Sequence, residues 1–299
     1  MFSLLSGFIV IFFFTLPINH LYAGNDSLPA NSPEVIYEEA LRNAGDEVRQ
    51  IYPSVVKELT EKLQWEADFR PKIILTNNQD AFMKIVGKDI IIAFAVPDKN
   101  LIVLDTSRVY TKPFSLRSTL KHELCHLVLH HNVKGRLLPR WVDEGVCQWA
   151  SGGIAELMSD DGGKVLTKAT VSHNLISLRE LERFPMDDPS LILAYEESKN
   201  IIEYIVREYG KKRLLQMLAY LKEGDTINES AEKSLSMSIT DLESKWHASL
   251  KRKYTWFTYL SNNLYTILFS FAALITLYGF VRLLKKKREY KDEEEETTD

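Results

Sequence analysis

His122-Glu123-Leu124-Cys125-His126 is the stretch on which the reading of the whole chain turns. It lies within Leu116–His131, where Leu116, Leu120, Leu124, Leu127 and Val128 recur at helical spacing, with Ser115 as N-cap and Asn132 as C-cap candidate. Two histidines four positions apart on a helix project from one face, so both imidazoles can reach a single ion at about 2.0–2.1 Å. Glu123, beside the first histidine, is rotated off that face and can reach a water next to the ion without taking a coordination position. The stretch therefore predicts an amphipathic helix that carries two ligands of a Zn²⁺ ion and a general base.

Downstream stands Trp141-Val142-Asp143-Glu144-Gly145, on a helix predicted over Pro139–Ser151. HELCH and WVDEG together resemble the HExxH and W-x-x-E-G pair of the gluzincin clan of zinc peptidases, and the chain resembles the bacterial peptidase MA-like metallohydrolases within it. The likeness extends through IIIAFAVPDKNLIVLD, ISLRELE, AYEESKNIIEYIVREYG and SITDLESKWHASL, about residues 70–253. Gluzincins place a glutamate ligand on a second helix eighteen or more residues past the second histidine, and Glu144 lies eighteen past His126. The resemblance implies His122, His126 and Glu144 as the metal ligands, with Asp143 as the rival to Glu144. The metzincin alternative needs a glycine and a histidine where Leu129 and Asn132 stand.

The same resemblance implies a mechanism. Zn²⁺ with three protein ligands keeps one position open for water and lowers its pKa to about 7. Glu123 takes a proton as the scissile carbonyl is attacked and passes it to the leaving amine. A further donor holds the oxyanion. Tyr195, in the helical half where related enzymes supply a tyrosine, is the candidate, set against a tyrosine merely half buried on a helix; His173 is the alternative. A ligating imidazole normally donates its other N–H to an acceptor, for which Gln148 and Asp143 are both placed. His130, one turn past His126, reads as a supporting or surface residue and not as a fourth ligand. Cys125 and Cys147 each follow a ligand by three positions and can form a disulfide or remain buried thiols. The edge around Ile92–Val96 is the candidate surface for an extended peptide, the alternative being an ordinary core strand.

Outward from the motif, Glu34–Gln64 has apolar residues at helical spacing and reads as two helices split at Pro53. Lys72–Thr76 is a predicted strand and Asn78–Val86 a helix; Asp89–Val96 and Leu101–Asp105 form a hairpin around Pro97-Asp98-Lys99-Asn100. After the second motif the chain reads as helical at Ser177–Arg183, Ser190–Tyr209, Lys211–Leu221, Ile227–Leu235 and Ile239–Tyr254. The expected fold class is α+β: a thermolysin-like catalytic domain with a small twisted sheet, an active-site helix and a helical C-terminal half, followed by a transmembrane helix.

Both ends of the chain are apolar. Met1–Ala23 has no Lys, Arg, Asp or Glu and reads as a signal peptide, an uncleaved anchor being the alternative. No charge occurs between Lys253 and Arg282, and Leu264–Val281 is long enough to cross a bilayer, with Trp256, Phe257 and Tyr259 flanking it. Arg282, Lys285, Lys286, Lys287, Arg288 and Lys291 follow, a positive-inside signal, and the acidic tail from Asp292 to Glu296 reads as solvated and disordered. The expected organisation is a signal peptide over 1–23, a linker and helical segment over 24–69, the catalytic domain over 70–253, a transmembrane helix over 260–283 and a cytoplasmic tail over 284–299. That places the catalytic domain outside the cytoplasm.

A net charge of −4 on 299 residues gives no basic face for nucleic acid, and two cysteines are too few for a disulfide scaffold or a cysteine zinc finger. The reading is a membrane-anchored zinc metallopeptidase acting on protein or peptide substrates. The aminopeptidase element G-x-M-E-N is missing from the sequence, which favours an endopeptidase. The alternatives are a membrane-anchored binding or assembly module on an inactive scaffold, and a zinc hydrolase of a non-peptide amide.

Overall fold

Glu34-Val35-Ile36-Tyr37-Glu38 is a short apolar run between two glutamates and forms a strand, not the helix expected there; burial alternates along it, with Val35 and Tyr37 buried. The computed structural model describes residues 21–23, 32–88, 91–112, 114–134, 138–153 and 164–296. Most of the expected signal peptide, the 24–31 linker, Gly135, and the side chains of Trp256, Phe257 and Tyr259 lie outside the described residues. The chain divides into two compact units, one running through His247 and one beginning at Ala248.

The first unit opens on a five-stranded sheet: β1 (Leu21–Ala23), β2 (Glu34–Glu38), β3 (Lys72–Thr76), β4 (Ala93–Val96) and β5 (Leu101–Asp105), in the order β1-β2-β3-β5-β4. β2, β3 and β5 are parallel, with Ile73 opposite Ile102; β1 and β4 run antiparallel at the two edges. The expected hairpin is present: β4 and β5 pair Val96 with Leu101 across a Pro97–Lys99 turn that closes with Asn100 in the left-handed region.

Ile74, Leu101 and Val103 face Phe82 of α2 (Gln79–Val86), whose first turn is capped by the Asn78 side chain. Ile73, Leu75, Ile102 and Leu104 are buried on the other face, toward α1 (Arg42–Leu63) and α3 (Leu116–Asn132), which contact β2 and β4–β5 respectively. Pro53 does not split α1. It lies on the exposed side of the helix, where the carbonyl it leaves without an amide partner can turn to water. Gly45 lets α1 approach β2, since a Cβ there would come within 2.5 Å of the Tyr37 ring.

The helical half comprises α4 (Arg140–Ser151), α5 (Lys164–Ser172), α6 (Asp188–Tyr209), α7 (Lys211–Glu223), α8 (Ile227–Leu235) and α9 (Ile239–Asn262). α5 is additional to the expected helices, and the expected Ser177–Arg183 helix shrinks to a 3₁₀ turn at Glu180–Glu182. The small sheet followed by helices bears out the α+β class in outline.

In the second unit, α10 (Leu264–Glu296) contains Leu264–Lys285, which is long and apolar enough to cross a membrane. Its apolar side chains are exposed, Phe269 at 72% and Tyr278 at 71%, so they are not a soluble core. The backbone stays helical through Glu296, which corrects the expectation of a disordered acidic tail.

Candidate metal centre

Every residue from His122 to Leu129 is buried. Over these two turns α3 is enclosed on all sides, because α1, α4 and the sheet each take one face, while Arg117 and His131 nearer its ends are exposed. Ser115 caps its start by accepting from the Ser118 amide, and the helix runs through Asn132 with Val133 as its C-cap. α4 begins after Pro139, which supplies the fixed φ that suits a helix start. Cys125 and Cys147 form a disulfide between these two helices, with Cα atoms 5.3 Å apart. Gly145 lets α4 close on α6: a Cβ there would lie 2.2 Å from the Ser198 carbonyl oxygen. The glycine of WVDEG is therefore a contact requirement.

His122 Nε2, His126 Nε2 and Glu144 Oε2 converge. The two nitrogens are 3.1 Å apart, and the carboxylate oxygen is 3.4 Å from the first and 3.5 Å from the second. Tetrahedral bonds of about 2.0–2.1 Å require donor atoms about 3.3 Å apart, so the triangle fits one face of a zinc-sized tetrahedron. Glu144 Oε2 is buried and has no hydrogen-bond partner among the described residues. A buried carboxylate oxygen aimed at two imidazole nitrogens, with no donor of its own, suits a cation in the space between them. Among the described residues, these three form one of two groups able to hold a metal ion; the other includes disulfide-bonded Cys147.

Asp143 does not join this triangle. Its Oδ1 accepts from His126 Nδ1 at 2.7 Å and its Oδ2 from His130 Nε2 at 3.0 Å, on the far side of the imidazole. An ionised Asp143 can only accept, so it favours a proton on His126 Nδ1 and leaves Nε2 on the side of the triangle. Gln148, the other candidate acceptor, instead donates to the Tyr195 carbonyl at 3.1 Å, tying α4 to α6. His130 is one-third exposed and meets Asp143 outside the triangle. His173 lies exposed in a left-handed turn at the end of α5.

Tyr195 reaches the centre: its hydroxyl donates to Glu144 Oε1 at 3.5 Å, and its ring packs edge-on against Phe184. Sequence reasoning missed Arg140. Its Nη2 lies 2.5 Å from Glu144 Oε1, and its only sequence signal is a cation one turn before an acid. Burial pushes the Glu144 carboxyl up, but Arg140 and the two imidazoles outweigh this and hold it well below the usual carboxylate range. Asp143 is likewise pushed up by burial and brought far down by His126 and His130. Glu123, 6% exposed, is raised: burial, with the Glu144 charge behind it, outweighs the opposing pull of His122, His126 and Arg140. Burial and then the Glu144 charge raise the Tyr195 phenol.

The sequence pattern of the Peptidase MA superfamily matches residues 76–252. The chain belongs to that superfamily. The match covers the β-hairpin, both motif helices and the helical half of this peptidase MA chain. No curated protein matches it. Among solved structures it is similar to an M1 zinc metallopeptidase from Deinococcus radiodurans at 13% identity and a TM-score of 0.45, covering 76% of this chain and 50% of that one. The chain thus spans about half the length of that enzyme.

Proposed function

We propose that the protein is a membrane-anchored zinc peptidase of the gluzincin type, with His122, His126 and Glu144 as the metal ligands. The observation that carries this is the triangle of donor atoms, with its unpartnered Glu144 oxygen, beside the buried Glu123. When bound, zinc supplies Lewis-acid polarisation of the scissile carbonyl and of water at neutral pH.

The chain's own residues supply the rest. Glu123 is the base: its carboxylate takes a proton from the attacking water and delivers it to the leaving nitrogen. Burial suits it to this, because a carboxylate with a raised pKa both accepts and returns a proton readily. The Tyr195 hydroxyl is the donor for the developing oxyanion, held near Glu144 from α6. β4 is the outer strand of the sheet and contacts α3; Ala93 is buried and Phe94 to Val96 are half buried. An extended peptide can add to that edge by main-chain hydrogen bonds, which fits cleavage within a chain.

Leu264–Lys285 is the anchor, and the basic cluster from Arg282 to Lys291 puts its C-terminal end in the cytoplasm and the catalytic unit outside. An oxidising compartment agrees with the Cys125–Cys147 disulfide.

The test is metal content of the full chain in detergent, beside His122→Ala and Glu144→Ala. Close to one zinc per chain, lost in both variants, is expected. A folded wild-type chain without metal would overturn the reading in favour of a binding module.

A further inference from the structure

The two oxygens of Glu144 have different surroundings. Oε1 accepts from Arg140 at 2.5 Å and from Tyr195 at 3.5 Å, whereas Oε2 has no hydrogen-bond partner and completes the triangle with the imidazoles. Arg140 stands at the first position of α4, one turn before Glu144, with a side chain about one-third exposed. Its guanidinium lies over the Phe184 ring, 5.7 Å from the centroid, and hydrogen-bonds to Tyr195 as well. A planar fork fixed on two groups and packed on a ring constrains geometry in a way that a flexible ammonium cannot.

We infer that Arg140 is a positioning residue of the metal centre: by gripping Glu144 Oε1 it leaves Oε2 as the one carboxylate oxygen facing the imidazole nitrogens, and it braces Tyr195 against the same carboxylate. The inference rests on the zinc-peptidase reading above. A carboxylate released on both oxygens can swing or ligate through both, which uses the position that a catalytic site keeps for water. Arg140 thus sets the number of protein donor atoms without touching the ion.

The test uses the full chain in detergent as wild type, Arg140→Met and Arg140→Lys. Zinc dissociation constants come from chelator competition, and the visible spectrum of the Co²⁺-substituted protein reports coordination number, its bands weakening as ligands are added. Arg140→Met is expected to weaken zinc binding about 10–100-fold, in the range for residues that orient ligands, and to lower the Co²⁺ bands. Arg140→Lys, which keeps the charge and loses the fork, is expected to fall between, and carries the test if the methionine variant does not fold. Wild-type zinc affinity and an unchanged Co²⁺ spectrum in a folded variant would overturn the inference, even if its melting temperature dropped, because Arg140 would then be structural only. Absence of zinc from the wild type itself would overturn the metal reading, a result distinct from any effect of Arg140.

Discussion

Asp143 and Glu144 on α4 and Glu196 and Glu197 on α6 are both adjacent, buried acidic pairs, at most 3% exposed, yet their surroundings differ in kind. The α4 pair meets ionisable donors: His126 and His130 for Asp143, Arg140 for Glu144. The α6 pair meets backbone amides, Leu166 N–H on Glu196 at 2.9 Å and Ile176 N–H on Glu197 at 3.1 Å, which pin α5 and the following loop onto α6. Charges hold the α4 carboxylates ionised, as a cation-binding centre requires. Glu197, near Glu243, Glu180 and Glu196, is instead pushed by burial up to about 8, and its Oε2 has no partner among the described residues. One pair is held by charged partners and the other is tied to backbone amides of neighbouring segments.

The largest effect should come from the acid beside the first pair. Glu123→Gln keeps size and removes the base, so turnover of a peptide substrate should fall about 10²–10⁴-fold, roughly 3–5 kcal/mol in barrier. Zinc content should stay at the wild-type level. A variant that retains even a tenth of wild-type turnover would remove Glu123 from the mechanism and leave the two acidic pairs without a functional contrast.

Much of the metal-centre side of this contrast was legible in the sequence, because HELCH and WVDEG impose their own geometry: i,i+4 spacing fixes the two imidazoles and the second motif brings Glu144 to them. The β4–β5 hairpin was legible from its turn residues. Arg140 was not, since its role depends on Tyr195 arriving from 51 residues beyond Glu144. Nor were Glu196 and Glu197: nothing in AYEESKN separates a buried glutamate from a solvated one, and burial is decided by α5 packing onto α6. β2 was misread because Val35-Ile36-Tyr37 is an unbroken apolar run with no period of two in the sequence, and the helical spacing of α1 runs back over it.

Glu197 gives the next effect, in stability. Its folded pKa of about 8 exceeds that of an unfolded glutamate, so between about pH 4.5 and 8 the folded chain keeps a proton that the unfolded chain has lost. The contribution is fully present below the unfolded value and is lost as pH rises through the folded one. Glu197→Gln retains an acceptor for the Ile176 amide but cannot titrate. Melting curves should therefore match the wild type near pH 5 and show the variant more stable near pH 8, by about 2–4 kcal/mol. A constant offset across that range would mean that Glu197 is ionised in the fold, and that the two acidic pairs are alike.

Asp143 yields the smallest effect and the finest cut, because the centre contains its own control. His126 has an acceptor at Nδ1, whereas His122 Nδ1 is buried with no partner among the described residues. If orientation by Asp143 is what prepares His126, Asp143→Asn should cost little, since the amide oxygen can still accept from Nδ1. Asp143→Ala, which removes the acceptor, should then weaken zinc binding about 10–100-fold, or 1.4–2.7 kcal/mol. Equal losses in both variants would instead assign the effect to the negative charge that Asp143 lends the imidazole. Chelator competition on the two variants separates these, and wild-type affinity in the alanine variant would show that His126 is held as His122 is, by packing within the buried stretch from His122 to Leu129.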